Sequence, residues 1–446
     1  MRLAVISPWG SPCGISVYSA DVFGELRRRG HTVHVLASED ALPAATPAGI
    51  SHSRVWRQGQ SPSWRVMAEL HRFRPDVIHV QHEMGFFSPL AVWRDWRDCL
   101  QSCSVPLVVT YHSVPDAATS LTDLPVAAAV VCSPVAKCIL ESRVSFPVFG
   151  IEHGVDGPLP DRRDPEPNSL VTFGFLAGCK GYERILQAMA ALRPELPDLT
   201  LTILGSLTSR ALSAQMDYFQ RLHQQVLQLG LSGQVDISCG FRTLPEIRSI
   251  LSRKAVGVLH YDRTDRLSVS ELREGPVADQ TSPAAPTMPL TEWGTSGAGP
   301  LLPRMVSGSG LGTSGPGELE SAVLHEVPLE TSGVRDEVDM VGQGDAVVPG
   351  RAGVRCQSAA IFRMWSAGVP CIVSMAQHFD LGAQLRPALI RAEGVRSLTD
   401  QIRRLCTDRD AYAAACETLR SRVTRTWHDV ADDHERVYAA VAPTAV

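Results

Sequence analysis

The sequence predicts an α/β protein made of two doubly wound parallel-sheet domains, and three observations support this prediction. The chain has 446 residues, which is more than one hydrophobic core ordinarily accommodates. Short β-branched segments alternate with amphipathic helical segments, which is typical of βαβ units and of a parallel sheet covered on both faces. The alternation stops near residue 156 and starts again near residue 170, so one such domain follows another.

The first domain is predicted for residues 1–157. Its first strand is RLAVIS (2–7), and its first helix, GISVYSADVFGELRRRG (14–30), has an Arg-rich last turn before Gly30, as a helix C-terminus favours. The remaining segments of this domain are predicted as strands at 32–37, 77–80, 107–110 and 127–132 and as helices near 64–73, 89–102 and 134–142.

The second domain is predicted for residues 170–425, after a linker at residues 158–169. The linker lies in DGPLPDRRDPEPNS (156–169), whose prolines and charges leave it little to pack against. The predicted segments are strands at 170–175, 199–205, 235–238 and 255–261 and helices at 180–192, 209–229 and 244–253. The carboxyl ends of two such sheets would face a cleft, where α/β proteins bind ligands.

A low-complexity insertion is predicted at residues 264–352, inside the second domain. Within it Trp293 is the only aromatic residue, isoleucine and lysine are absent, and Gly, Ser, Pro and Thr recur without a period. Such a segment buries too little apolar surface to offset its ordering entropy. The simpler interpretation is a disordered surface insertion, and the alternative is a regulatory or partner-binding loop. The α/β pattern resumes at SAAIFRMWSAGVPCIVS (358–374), and the chain closes with a predicted terminal helix at residues 426–446.

Composition and charge exclude several classes of protein. A net charge of −5 and a pI near 6.3 give no reason to expect nucleic acid or an anionic membrane as a general partner. No stretch approaches eighteen apolar residues, and the N-terminus lacks the charged and apolar regions of a signal peptide, so neither a spanning helix nor secretion is predicted. The eleven scattered cysteines suit a reducing cytoplasm, which is the predicted location.

Two glycine-containing loops between a strand and a helix are the first candidate binding elements. Gly14 lies where the first strand turns into the first helix, so backbone N–H groups and the helix dipole suit a phosphate there, although a tight turn explains the glycine equally well. In the second domain, FGFLAGCKGYERILQAM (173–189) passes Gly178 and reaches Lys180 at a helix start. A lysine in such a loop can bind an anionic group, and a solvated surface lysine is the ordinary alternative.

The order of these motifs resembles that of the retaining GT-B glycosyltransferases of family 4, over nearly the whole chain outside the insertion. The stretches that carry the resemblance are PWGSPCGISVYSADVFGELRRRGHTVHVLA, RPDVIHVQHEMGFF, VVTYHSV, GIEHGVD, FGFLAGCKGYERILQAM, LTLTILGS, SAAIFRMWSAGVPCIVS and TWHDVADDHERVY. The resemblance implies a GT-B fold, in which two Rossmann-like domains face each other across a cleft. The first domain would be on the acceptor side, the second would bind the donor, and the terminal helix would cross back to the first.

The resemblance also implies a donor and the residues that bind it. The donor would be a nucleotide-diphosphate sugar, with no cofactor and no metal. Gly14 and Gly178 would lie beside the donor, and Lys180 matches the lysine that neutralises the leaving diphosphate. His112, in TYHSV, matches a histidine often found near the transferred sugar, and the alternative is an ordinary histidine at a strand end.

On the acceptor side the resemblance is weaker. His82 and Glu83, in VQHEMG, lie at the carboxyl end of another predicted strand and are the acceptor-side candidates. The acceptor stays open among a glycan, a lipid and a small molecule, and peripheral membrane contact stays open as well. Nucleic acid is not expected as a partner.

Several positions depart from the family pattern. Phe175 stands where an arginine is usual, and Arg355 and Arg363 occupy the positions of two glutamates that hold the sugar and the ribose of the donor. Some relatives carry arginine at the second position after a Ser-Gly-type helix start, which Ser358 resembles, so Arg355, Ser358 and Arg363 are predicted as donor-binding residues. Glu274, in LREGP, resembles the Glu-Gly pair of the family but has no helix directly behind it.

Three functions are consistent with these matches to the family pattern and departures from it. The sequence favours a retaining glycosyltransferase. The alternative is a catalytically degenerate GT-B protein that binds a nucleotide sugar or a protein partner without transfer. A third interpretation is another GT-B enzyme, such as a sugar-nucleotide epimerase, because a two-domain architecture alone does not fix the chemistry.

Overall fold

A computed structural model describes residues 1–40, 49–87, 90–114, 126–161, 165–207, 212–262, 354–355 and 357–442. The strands of these residues are β1 (Arg2–Ser7), β2 (Thr32–Ser38), β3 (Ser51–Trp56), β4 (Val77–His82), β5 (Leu107–Tyr111), β6 (Ser113–Val114), β7 (Val126–Val131), β8 (Val148–Gly150), β9 (Glu166–Phe175), β10 (Thr200–Ser206), β11 (Val235–Cys239), β12 (Lys254–Leu259), β13 (Val354–Arg355), β14 (Cys371–Val373) and β15 (Leu389–Arg391). The helices are α1 (Gly14–Arg28), α2 (Trp64–Phe73), α3 (Leu90–Gln101), α4 (Pro134–Glu141), α5 (Tyr182–Leu192), α6 (Leu212–Gln228), α7 (Leu244–Leu251), α8 (Ala359–Ser366), α9 (Gly394–Thr407), α10 (Arg409–Arg422) and α11 (Trp427–Val441).

Two parallel sheets organise the described chain. The first has the order β3-β2-β1-β4-β5-β7-β8 and the second the order β11-β10-β9-β12-β14-β15, and every pair within them is parallel. In each sheet the earliest strand lies in the middle and the order reverses beside it, which is the doubly wound arrangement. The predicted fold class is confirmed.

The hydrophobic sequences of the central strands explain why both sheets are covered on both faces. All six residues of β4 and all five of β5 are buried, as expected when helices pack on each side of a parallel sheet. The terminal helix α11 contributes Trp427, Val430 and Tyr438 to the same core as β1 and β4. The last helix of the chain therefore packs in the first domain, although it follows the second in sequence.

Two boundaries differ from the sequence prediction. The predicted linker extends to residue 169, but β9 begins at Glu166, because the Glu166 N–H donates to the Arg253 carbonyl at 2.7 Å and its carboxylate binds Lys254 at 2.5 Å. The predicted helix at 180–192 begins at Tyr182 instead. Lys180 lies in a separate 3₁₀ turn, because Gly181 has a φ of 66° and interrupts the helical geometry.

Some strands of the structure are too short or too polar to be predicted from their pattern. β8 and β15 have three residues each, and β3 is half exposed. The predicted insertion at 264–352, with Glu274, lies outside the described residues. Within the described helices, none combines the length and the hydrophobicity needed to cross a membrane.

Candidate functional site

In both sheets, candidate residues follow the two strands between which the strand order reverses. The reversal lies between β1 and β4 in the first sheet and between β9 and β12 in the second, and doubly wound folds bind ligands in the crevice at this place. Gly14 follows β1, Glu83 follows β4 and Lys180 follows β9. Tyr261, which follows β12, completes the set and is not among the predicted residues.

Short-range hydrogen bonds shape the loop between β1 and α1. The Cys13 thiol accepts the N–H of Ser16 at 3.5 Å, and the Ser16 hydroxyl accepts the N–H of Gly10 at 2.8 Å. Gly10 has a φ of 79°, which glycine adopts without steric cost. Burial raises the pKa of the Cys13 thiol to about 11, so this thiol stays protonated at neutral pH. The loop delivers an exposed Gly14 as the first residue of α1.

The N-terminus of α8 lies directly beside that of α1. A Cβ atom on Gly14 would be 3.9 Å from the Cβ of Ala359, the first residue of α8. Ser358, the N-cap of α8, donates its N–H to the His378 carbonyl at 3.0 Å, and its side chain makes no bond to the helix backbone. Helix N-termini carry unpaired N–H groups and partial positive charge. Two such termini, one from each domain, therefore lie close to each other.

Lys180 is connected to this place through Tyr261. The Lys180 ammonium lies 4.0 Å from the centroid of the Tyr261 ring, which is within the range of a cation–π interaction. The Tyr261 hydroxyl lies 3.0 Å from the Ser358 hydroxyl in a buried hydrogen bond. Gly178 is exposed in the same turn as Lys180. Lys180 and Ser358 thus both contact Tyr261, Gly14 lies next to Ala359 at the start of α8, and Gly178 belongs to the turn that carries Lys180.

Arg184 of α5 fixes the segment that carries Tyr261. Its guanidinium donates to Nδ1 of His260 at 2.9 Å and to the His260 carbonyl at 3.1 Å, and it also binds the Asp262 carboxylate. The Asp262 N–H in turn donates to the Cys179 carbonyl at 2.8 Å. The Lys180 turn and the Tyr261 segment are therefore held to each other by backbone and by side chains.

His112 lies at the carboxyl end of β5 and belongs to a partly buried polar cluster. Its Nε2 lies 2.8 Å from Oε1 of Gln81, its ring contacts Tyr18 edge-on at 5.1 Å, and its N–H donates to the His82 carbonyl at 2.9 Å. Burial lowers the pKa of His112 to about 3, so the ring is neutral at neutral pH. Because an amide oxygen accepts from Nε2, Nδ1 keeps the lone pair that can accept a hydrogen bond.

His82 has a different environment from that of His112, because it lies on the other face of the first sheet. Its ring stacks on Phe87 at 5.2 Å and contacts Trp93 at 4.5 Å and Tyr111 at 5.1 Å. Burial lowers the pKa of His82 to about 3, and its Nδ1 has no hydrogen-bond partner among the described residues. This packing is that of a neutral core histidine.

Glu83 and Arg355 lie close to β6. The Glu83 carboxylate accepts a hydrogen bond from the Ser113 hydroxyl at 3.0 Å, and its negative charge contributes to the raised pKa of Cys13. The backbone of Arg355 pairs with that of Ser113 in the antiparallel two-stranded ladder of β13 and β6. The strand before α8 is therefore attached to the first domain, close to Glu83.

Arg363 lies in a cluster of charges where α8 meets the first domain. The side chain is 9% exposed, binds the carboxylate of Asp21 and lies 2.7 Å from that of Asp156. Its guanidinium carbon also lies 5.6 Å from the Trp427 ring. Asp21 belongs to α1 and Asp156 to the segment after β8, so one side chain of α8 contacts the first domain and the segment that leaves it.

Glu152 provides a second polar connection between the end of the first domain and the second. Its Oε1 accepts hydrogen bonds from Nε2 of Gln357 at 2.6 Å and from the N–H of Gly382 at 2.7 Å. The partners of Glu152, Asp21 and Asp156 are more than two hundred residues away or lie on another element, and no local pattern identifies them. Tyr261, in contrast, ends a predicted strand at the place where such folds bind ligands.

The described residues contain no group of three or more histidine, cysteine, aspartate or glutamate side chains arranged to hold a metal ion. Lys180 and the N-termini of α1 and α8 contribute positive charge at this place. Such charges suit a diphosphate.

Comparisons with known proteins identify the architecture. Residues 12–156 match the sequence model of Glycosyltransferase Family 4. The structure is similar to sucrose-phosphate synthase from Thermosynechococcus elongatus, with 14% identity, a TM-score of 0.59 and 98% of each chain covered. It is similar to a glycosyltransferase from Rickettsia africae, with 11% identity, a TM-score of 0.62 and coverage of 100% of this chain and 99% of that one.

A third solved structure, HepE from Anabaena in complex with UDP-glucose, has 12% identity and a TM-score of 0.61, with 99% of this chain and 100% of that one covered. No curated protein sequence matches this chain significantly. At these identities the similarity establishes the fold, and the fold is GT-B.

Proposed function

We propose that this chain, a GT-B protein whose first domain matches the glycosyltransferase family 4 model, transfers a sugar from a nucleotide-diphosphate sugar to an acceptor hydroxyl with retention of configuration. One arrangement of three contacts carries the proposal. Gly14 of α1 approaches Ala359 of α8 closely, and the Lys180 ammonium is held on Tyr261, which is hydrogen-bonded to the N-cap of α8. Two helix N-termini and a cation would thus act on one anionic group.

The chemistry needs positive charge at this place. In the transfer, the bond between the anomeric carbon and the diphosphate oxygen breaks, the acceptor oxygen bonds to the same carbon, and the proton of the acceptor hydroxyl passes to the leaving diphosphate. Negative charge builds up on the leaving diphosphate, and preorganised donors and cations that face this charge lower the barrier. In the proposed mechanism the Lys180 ammonium and the N–H groups at the starts of α1 and α8 bind the leaving diphosphate.

His112 acts as a hydrogen-bond acceptor in this mechanism. Because its pKa is about 3, it does not serve as a proton donor at neutral pH, and its free lone pair accepts a hydrogen bond from a hydroxyl of the transferred sugar. Glu83, after β4, is the acceptor-side carboxylate. Since HepE was solved with UDP-glucose, a UDP-sugar is the first donor to test, and the acceptor class stays open among glycans, lipids and small molecules.

A second candidate function is binding of a nucleotide sugar without transfer. The observation that favours it is the engagement of Arg363: this residue occupies a donor-binding position of the family and is bound by Asp21 and Asp156. The ribose then lacks one charged partner, and a hydrogen bond to a charged group contributes about 1.5–3 kcal/mol.

Calorimetric titration with UDP-, GDP- and ADP-sugars, followed by assays of donor hydrolysis and transfer, tests both functions. Binding with slow hydrolysis or with transfer supports the enzyme, and binding with neither supports the second candidate. If none of the sugar nucleotides binds, both are wrong.

Lys180→Ala tests the mechanism, and Lys137→Ala is its matched control. Lys137 lies on α4, pairs with Glu141 at 2.9 Å and has its side chain beside Gly150. We expect Lys180→Ala to lower turnover about 100-fold or more, as for other groups that stabilise developing charge, and to change the free energy of unfolding far less. The control should keep full activity. Equal turnover of the two variants would remove Lys180 from the mechanism.

A further inference from the structure

The ion pair between Arg363 and Asp21 joins the same two helices whose N-termini meet at the proposed site. Asp21 lies seven residues after Gly14, about two turns along α1. Arg363 lies one turn after Ala359, in α8. The approach of Gly14 to Ala359, where an added Cβ atom would lie 3.9 Å from the Ala359 Cβ, and the bond between Asp21 and Arg363 therefore bring α1 close to α8 at two separated points. Together they constrain how the two helices lie against each other.

A third segment is held by the same arginine. Asp156 lies 2.7 Å from Arg363, and its N–H donates to the Ser366 hydroxyl of α8 at 3.1 Å. Asp156 follows the last strand of the first sheet and precedes β9, the first strand of the second. Arg363, on a helix of the second domain, thus binds a helix of the first domain and the segment that connects the two domains.

The chemistry of arginine suits this arrangement. The planar guanidinium presents several N–H donors in a fixed geometry and can bind two carboxylates at once. Both of its terminal nitrogens are used, Nη1 by Asp156 and Nη2 by Asp21. The side chain is 9% exposed, and the side chains of its partners are 15% and 24% exposed. Both terminal nitrogens of Arg363 are therefore engaged by carboxylates outside the Lys180 turn.

We propose that Arg363 is a positioning residue, which binds Asp21 and Asp156 in place of a donor group and so sets the relative position of the N-termini of α1 and α8. The identity of the anion bound between these termini rests on the proposed function. The positioning role concerns only the two helices, so it applies whether or not the protein transfers a sugar. Breaking the pair at either end should have the same effect, because the two residues act as a unit.

The test compares Arg363→Met, Asp21→Asn and the double variant in the full chain. The readouts are the dissociation constants of UDP and of uridine, whose difference isolates the diphosphate. We expect each single variant to weaken UDP binding about tenfold, with uridine binding nearly unchanged, and the double variant to be no weaker than the worse single variant. If UDP does not bind, GDP with guanosine and ADP with adenosine are used in the same way.

The two roles of Arg363 give different results. If Arg363 touched the donor, Arg363→Met would weaken UDP binding and Asp21→Asn would not, and the proposal would be overturned. Additive losses in the double variant would overturn it as well. Arg248→Met is the matched control: Arg248 also binds Asp156, at 2.6 Å, but from α7 and with an exposed side chain. We expect no change in either dissociation constant for this variant.

Two further measurements test the inference if Arg363→Met does not fold or if the wild type binds no nucleotide. If Arg363→Met does not fold, Arg363→Lys retains the positive charge, and its UDP affinity should lie between those of the wild type and Asp21→Asn. If no nucleotide binds to the wild type, the proposed function has failed, and the positioning role is then judged on urea unfolding alone. Non-additive loss of stability in the Arg363→Met, Asp21→Asn cycle supports it, and full additivity refutes it.

Discussion

The Lys180 ammonium lies over the face of Tyr261, 4.0 Å from the ring centroid. The tyrosine is 5% exposed and is itself held between the hydroxyl of Ser358 and the rings of His378 and Phe379. A flexible lysine side chain is thereby given one preferred position, on a ring that the rest of the protein keeps in place. This relationship makes Tyr261 the first residue to change in a test of the site.

Replacing Tyr261 should separate the effect of its ring from that of its hydroxyl. Tyr261→Ala removes the cation–π contact, which is worth about 0.5–2 kcal/mol, and frees the lysine, so we expect kcat to fall about 10- to 100-fold. Tyr261→Phe keeps the ring and loses only the bond to Ser358, and its kcat should fall less than about tenfold. Steady-state kinetics of both variants provide the measurement, and equal losses in the two would show that the ring does not support Lys180.

Gly181 is expected to tolerate no side chain. Its φ is 66°, and a Cβ atom would lie 2.0 Å from the His260 carbonyl oxygen, so Gly181→Ala must displace either the Lys180 turn or the segment before Tyr261. We expect a loss of about 2–4 kcal/mol in the free energy of unfolding. Gly233→Ala is the control, because Gly233 has a φ of 85° and nothing within 4 Å of its Cβ position; its loss should be about 1 kcal/mol. Urea unfolding of both variants decides, and similar losses would contradict the steric explanation.

Stability should fall as the pH is lowered, because several histidines are buried in the neutral form. Burial lowers the pKa of His82, His112 and His153 to about 3 and that of His434 to about 4. The unfolded chain takes up these protons near pH 6.5, whereas the folded chain does not. The stability that they contribute is therefore complete above pH 6.5 and is lost progressively below it.

The expected size is about 2 kcal/mol for each of these histidines between pH 7 and pH 5, since each pH unit below the unfolded pKa corresponds to about 1.4 kcal/mol. Urea unfolding at pH 7, 6 and 5 measures the loss. His82→Phe should reduce the slope, because the phenylalanine ring can take the place between Phe87 and Trp93 without titrating. His71→Gln, at an exposed position of α2, is the control. A slope that is the same in His82→Phe and the wild type would contradict this prediction.

Asp21 should show the opposite dependence on pH. Burial raises the pKa of its carboxyl from 3.8 to about 6. The positive charge of Arg363 lowers this pKa, and the negative charge of Asp156 raises it. The folded state holds this proton more tightly than the unfolded state, so the contribution of Asp21 is complete at low pH and is lost as the pH rises toward 6. Relative to the wild type, Asp21→Asn should therefore gain about 1 kcal/mol in stability between pH 5 and pH 7. A constant difference between the two proteins would show that the carboxyl titrates normally.

The fold was predictable because its signals are local. The strands β1 and β4 are short buried runs of branched residues, and α2 begins and ends at the predicted residues, where an amphipathic segment is bounded by Ser63 and Arg74. Three-residue strands such as β8 and β15 carry too few residues to show a period. The ladder between β13 and β6 joins distant parts of the chain, and no local pattern encodes it.

The site was predictable only in part, for a related reason. Lys180 could be selected as a candidate because it is one of three lysines in the sequence and lies in a glycine-containing loop after a strand, and its role in binding stays a prediction. The partners of Arg363, in contrast, are 342 and 207 residues away, so the sequence indicates an unusual arginine but not the carboxylates that bind it. The donor-binding role predicted for Arg363 stays a prediction, and the competing positioning role differs from it in one measurable respect, the effect of Asp21→Asn.

The cluster of Arg363, Asp21 and Asp156 also predicts how these three positions vary together during evolution. A guanidinium at position 363 is tolerable where carboxylates at 21 and 156 neutralise it, and a carboxylate at 363 beside these two would bring three like charges together. The three positions should therefore change together among descendants of a common ancestor. In a family tree of such chains, loss of the arginine on a branch should coincide with loss of the aspartate at position 21.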